Sequence, residues 1–150
     1  MRLLGGVTMS WLDALNATLT SWLAPAFSAP TLRWIAMLLL CSAYLQGGLT
    51  KAFDFGAALA EMKQFDLRPA APLAVAIIVL EIGASLLVLS DFFRWAGALM
   101  LAGFTLFATF LANRFWDVPL PKRYATENSF FEHLGLVGGF LLVAAYDLHG

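Results

Sequence analysis

Residues 34–50 run without a single charge, and so do residues 95–113. Lipid offers a polypeptide backbone no hydrogen-bond partners, so a chain can cross it only as a helix, of about 20 predominantly apolar residues, or as a closed barrel. Two further stretches meet the helical requirement. Residues 71–90 are apolar except for Glu81, with Pro69 and Pro72 placed where a helix start tolerates proline, and residues 129–146 are closed by Asp147. Four membrane spans are therefore expected, at about 31–50, 71–90, 94–113 and 129–147. Composition agrees, since 61% of the 150 residues are hydrophobic and only 13% charged, with a mean hydropathy of +0.78. A net charge of -1 and the lack of any basic tract exclude nucleic acid as a partner, because displacing counterions from phosphates requires a Lys/Arg stripe. The expected partner is the lipid bilayer.

The connections shape the fold. Only Asp91, Phe92 and Phe93 separate spans two and three, which forces an antiparallel hairpin. Longer linkers cover residues 51–70 and 114–128. The first spaces Phe55, Leu59, Met62 and Phe65 as a short interfacial helix opposite Lys63 and Asp66; the second, with Pro119 and Pro121, is expected to be irregular. At the N-terminus, Trp11, Leu12, Leu15, Leu19, Trp22 and Leu23 recur at helical spacing and predict an amphipathic helix with Trp at headgroup level, in preference to a cleaved signal peptide. The whole is an all-α integral membrane four-helix bundle over residues 30–150, preceded by an amphipathic interfacial segment over residues 1–29. Lys51, Lys63, Arg68, Arg114, Lys122 and Arg123 on the linker side outnumber Arg2, Arg33 and Arg94 on the terminal side. The positive-inside bias then places the linkers in the cytoplasm and the termini outside.

Ionisable groups inside a membrane cost about 2.5 to 3.5 kcal/mol each on insertion scales and mark function by default. Glu81 is roughly 15 Å from either end of its span at 1.5 Å per residue, so it must be neutral or paired with a cation. In an up-down bundle the end of span one, the start of span two, the end of span three and the start of span four share one half of the membrane. That half holds Tyr44, Gln46, Lys51, Glu81, Thr105, Thr109, Asn113, Glu132 and His133, while the other offers little beyond Ser42, Ser85, Asp91 and Arg94. Such lopsided polarity predicts a pocket toward the linker side. Gly47, Gly48, Gly83, Ala84, Ala98, Ala102, Gly135 and Gly139 are expected to bring helices close together, and Phe104, Phe107 and Phe110 to face lipid or another subunit.

Several chemistries fall away. His133 and His149 cannot face one another inside the bundle as axial haem ligands, and no metal-ligand spacing is present. Cys41 is alone, so thiol exchange cannot be run by this chain. No Gly-rich phosphate loop, Ser nucleophile motif or flavin-sized soluble domain is present.

The segment Tyr44-Leu45-Gln46-Gly47-Gly48-Leu49-Thr50-Lys51 resembles the end of the first helix in the DoxX-like family of small four-helix bacterial membrane proteins. Glu81 matches that family's second-helix glutamate, and Arg94 its basic residue before the third. Residues 132–139 (Glu-His-Leu-Gly-Leu-Val-Gly-Gly) resemble its fourth helix, though with Glu132-His133 where relatives often carry Lys-Asn. The resemblance covers roughly residues 30–147. It implies an inner-membrane protein linked to redox chemistry, with no covalent cofactor and a bound quinone as the expected ligand. Glu81 and His133 would then handle protons, and Tyr44, Gln46, Lys51 and Glu81 would hold the ring. Electrons would have to come from other membrane or redox subunits. The alternative is a non-catalytic accessory or scaffold subunit, in which Glu81 only fixes helix register; a transporter is weaker, since broken helices and repeats are missing.

Overall fold

A computed structural model describes residues 10–149, which form six α-helices and no strand. Arg2 and the start of the N-terminal segment, residues 1–9, lie outside the described residues. The chain forms two compact units, one reaching to Ala36 and the other beginning at Met37.

In the first unit, α1 (Trp11–Phe27) begins with a reciprocal cap. The Asp13 N–H donates to Ser10 Oγ at 3.2 Å while the Ser10 N–H donates to Asp13 Oδ2 at 3.0 Å, satisfying donors that a helix start leaves open. The Ser10 hydroxyl also donates to Asp13 Oδ2 at 2.8 Å, and this bond together with that from the Ser10 N–H holds the Asp13 carboxyl below its ordinary value of 3.8. No residue of α1 is buried, and Trp11, Leu15, Leu19 and Trp22 stand exposed. The unit closes with the first turns of α2 (Pro30–Phe53), whose Pro30 occupies a position that needs no N–H.

The second unit contains the rest of α2, then α3 (Phe55–Gln64), α4 (Ala70–Ser90), α5 (Arg94–Ala112), a 3-10 turn at Phe115–Asp117, and α6 (Leu120–His149). The four long helices α2, α4, α5 and α6 are each long and apolar enough to cross a membrane, and this is a multi-pass α-helical membrane protein. Their shared core is built from Met37, Cys41 and Tyr44 of α2, Ala84 and Val88 of α4, Leu101 and Ala102 of α5, and Phe140 and Ala144 of α6. A second, smaller cluster joins Ala58 and Met62 of α3 to Ala74 of α4. Asp54 starts α3 by accepting the Ala57 N–H at 2.9 Å.

Close approach depends on fewer small residues than expected. A Cβ on Gly97 would lie 2.6 Å from the Ala84 carbonyl oxygen, and one on Gly48 would lie 2.8 Å from Ile82. A Cβ on Gly83 or Gly135, by contrast, would meet nothing within 4 Å, so neither position needs glycine for a close helix approach. The aromatic stripe also divides: Phe104 packs on the core, whereas Phe107 and Phe110 are exposed. The fourth long helix begins at Leu120 rather than near 129, because Pro119 precedes it and Pro121 falls in its first turn, where proline's missing N–H leaves no helical bond unmade.

The α4–α5 turn is as short as expected and contains no glycine, so Asp91 and Phe93 adopt left-handed conformations at φ 66° and 50°. Arg94 closes it. Its Nε donates to the Val88 carbonyl at 3.0 Å, and Nη1 lies 2.6 Å from Asp91 and 3.5 Å from Asp147 of α6. Asp147 also accepts the Trp95 N–H at 3.0 Å, which occupies an open donor at the start of α5.

Candidate functional site in the linker-side half

Glu81 projects from the middle of α4 and is only 5% exposed. An uncompensated carboxylate there would be costly. Lys51, in the last turn of α2, answers it, with Nζ 3.1 Å from each carboxylate oxygen. Gly47, one turn earlier on α2, leaves a space beside the pair that a side chain would occupy: a Cβ there would be in contact with it, 3.5 Å from Lys51 Nζ, 3.6 Å from Oε1 and 3.7 Å from Oε2.

The pair lines a cavity of about 310 Å³ with walls from α2, α3, α4, α5 and α6, at the small end of ligand-site volumes. Tyr44, Asn113, His133 and Glu61 bring further polar groups to it, among apolar side chains that include Met62, Phe65, Ile77, Phe104, Phe107 and Leu136. Phe107, 62% exposed, belongs to a membrane-crossing helix, so the cavity reaches the lipid-facing surface there.

Proton bookkeeping decides what each group can offer. The Thr105 hydroxyl donates to the Leu101 carbonyl at 2.6 Å, which uses its only proton. The close contact between the Tyr44 and Thr105 hydroxyls therefore has Tyr44 as donor. Tyr44 keeps only lone pairs for the cavity and cannot donate to a ring carbonyl while this bond holds. His133 Nδ1 lies in short contact with the Ser129 carbonyl, which can only accept, so Nδ1 carries the proton and Nε2 is left for a ligand. Asn113 Nδ2 is 3.5 Å from the same Nδ1, which already donates and so cannot accept from it, and the amide is left for the cavity. Lys51 has one N–H left after its two contacts with Glu81.

The structure thus gathers Tyr44, Lys51, Glu81 and His133 around one cavity and leaves Gln46 out of it. Gln46 is exposed on α2 and donates to Thr50 Oγ1 at 3.0 Å, because the residue two positions after Tyr44 turns to a different helix face. Glu132 is exposed as well. Thr109 is buried, but its hydroxyl is committed to the Thr105 carbonyl. Glu61 was not foreseen. The signal was present in α3, where Glu61 falls three residues after Ala58 and beside Met62, both buried, and so shares the face that closes the cavity.

A family model described as DoxX matches residues 32–114, more than half of the chain and including Tyr44, Lys51 and Glu81. No curated protein and no solved structure matches the chain.

Proposed function

The chain belongs to the DoxX family, and from that premise we propose that it is a quinone-interacting subunit of a membrane redox complex. The observation that carries this reading is the Lys51–Glu81 pair, set in an apolar cavity that reaches the lipid face at Phe107. A quinone needs hydrogen-bond donors at its ring oxygens, a flat apolar wall and an exit for its isoprenoid tail. The donor set fits, since the free N–H of Lys51 and the Asn113 amide are available, and Phe104 and Phe107 supply aromatic walls. The quinone, when bound, supplies the electron-accepting group; a partner protein supplies the electrons.

The chain's own residues handle orientation and protons. Lys51 holds Glu81 in place and directs its remaining N–H toward an oxygen acceptor. Glu81, desolvated and cation-paired, gives or takes a proton deep in the span, and His133 Nε2 does so at the α6 wall. Asn113 orients the ring without changing protonation. The apolar side chains keep bulk water from competing for these bonds.

Native mass spectrometry of the protein extracted in its own lipids tests the reading. The wild type should carry a quinone, and Glu81→Gln should keep the fold while losing quinone-coupled turnover in the partner complex. A wild-type protein free of quinone overturns it. If instead Glu81→Gln assembles poorly and the assembled fraction turns over normally, Glu81 serves only helix register.

A further inference from the structure

A second cavity, of about 260 Å³, lies against the first. Its walls are the end of α2 and the start of α3, where Ala57, Ala58 and Glu61 line it, and Gln46, Thr50, Lys51, Asp54 and Glu61 give it a polar lining. Gln46, Thr50 and Asp54 are exposed, so it faces outward at the linker side. Gly47, Lys51 and Glu61 line both cavities. They are therefore the partition between an outward polar space and the buried apolar one.

A proton bound for Glu81 has few other ways in. The carboxylate is buried, Lys51 covers both of its oxygens, and apolar side chains make up most of the remaining wall of the inner cavity. The outer cavity has room for several waters and enough polar groups to hold them. At the partition, glycine in place of a side chain leaves the way to the carboxylate clear, and Glu61 is the only group there besides Lys51 that can carry a proton.

We propose that the outer cavity is a water-filled vestibule and that Glu61 passes protons between it and Glu81, with Gly47 as the window. In each passage a hydronium ion in the vestibule gives its proton to the Glu61 carboxylate and is left as water, and Glu61 then gives the proton to Glu81 across the partition; release runs in reverse. The charged and titratable groups around Glu61 are Lys51 and Asp54 from the α2 end, Glu81 from α4 and His133 from α6. While the proton passes from Glu61 to Glu81 the total charge of the two carboxylates and Lys51 is unchanged; only uptake from the vestibule and release to it alter that charge. This assignment rests on the reading of Glu81 as a proton-handling group.

The test needs no quinone. The full-length protein in lipid nanodiscs is taken through a rapid pH jump, and Glu81 protonation is followed by its infrared carboxyl band, identified by subtraction of the Glu81→Gln spectrum. Glu61→Gln should slow the Glu81 response by roughly tenfold or more, and Glu61→Asp should restore most of the rate. Ala57→Leu, which fills the vestibule without replacing an acid, should slow it too. A folded Glu61→Gln protein with the wild-type rate overturns the proposal; if Glu61→Gln does not fold, a wild-type rate in Ala57→Leu does so. The two readings separate cleanly. Quinone binding with Glu61-independent rates sinks the relay alone, whereas Glu61-dependent rates in a protein that holds no quinone sink the quinone reading alone.

Discussion

Lys51 and Glu81 sit 30 positions apart on two different membrane-crossing helices, and the lysine ammonium is equidistant, at 3.1 Å, from both carboxylate oxygens. The lysine side chain is 17% exposed and the glutamate side chain 7%. At that burial, removing one partner strands the other's charge, at about 3 to 5 kcal/mol, whereas removing both charges need not destabilise. Lys51→Met should therefore lose more stability than Lys51→Met/Glu81→Gln, with unfolding followed in nanodiscs. Additive losses in the double variant would mean that the two side chains do not interact.

Tyr44 donates its only proton to Thr105, whose own proton goes to Leu101. Tyr44→Phe should cost about 0.5 to 1.5 kcal/mol, the usual net worth of such a bond, and leave quinone affinity almost unchanged. Loss of binding in a folded Tyr44→Phe protein would show that the hydroxyl reaches the ligand directly.

Gly97 and Gly103 lie on the same helix yet should respond oppositely to alanine. A methyl group at Gly97 meets the Ala84 carbonyl and Leu87, and separating α4 from α5 should cost about 1 to 3 kcal/mol. At Gly103 nothing lies within 4 Å, so the reduced backbone entropy of alanine should gain about 0.5 to 1 kcal/mol. Thermal unfolding of the two variants side by side decides it, and equal midpoints would contradict the tight α4–α5 crossing.

The cap of α1 should be sensitive to acid. Because hydrogen bonds from Ser10 lower the Asp13 carboxyl in the helix, its ionised form favours the helix. That contribution is complete above the unfolded value near 3.8 and disappears as pH falls through the lowered folded value. The protection of the Asp13 and Ala14 amides against hydrogen exchange, relative to the unstructured rate at each pH, should fall over that acid range in the wild type but not in Asp13→Asn. An exchange rate that depends on pH in the same way in both proteins would remove the cap from the explanation.

The long elements were legible because lipid makes a strict demand. Uncharged runs of helical length at residues 34–50 and 95–113, and a single acid in residues 71–90, leave little freedom, and the helices α2, α4 and α5 stand over them. Glu81, Tyr44, Lys51 and His133 were legible as a group because depth in a span follows from position alone. Rotation about each helix axis did not follow. Gln46 shares the depth of the cavity but faces away from it, and Gly83 and Gly135 fit a packing pattern without meeting a neighbour. Which way a helix turns depends on its contacts with the others, and neither hydropathy nor spacing encodes those fully. Glu61 was hidden for a related reason: its importance comes from α3 folding back over α4, through Met62 and Ala74.

The cluster around Arg94 has a mechanical consequence. A single guanidinium joins the last turn of α4, the reversal after it and the end of α6, while Asp147 fastens the first turn of α5. Three membrane-crossing helices are thus riveted together at one rim. At the opposite rim, α4, α5 and α6 meet around a void. The two ends of the helical unit are therefore built differently, one tied by charged side chains and the other holding a cavity that α3 helps to wall.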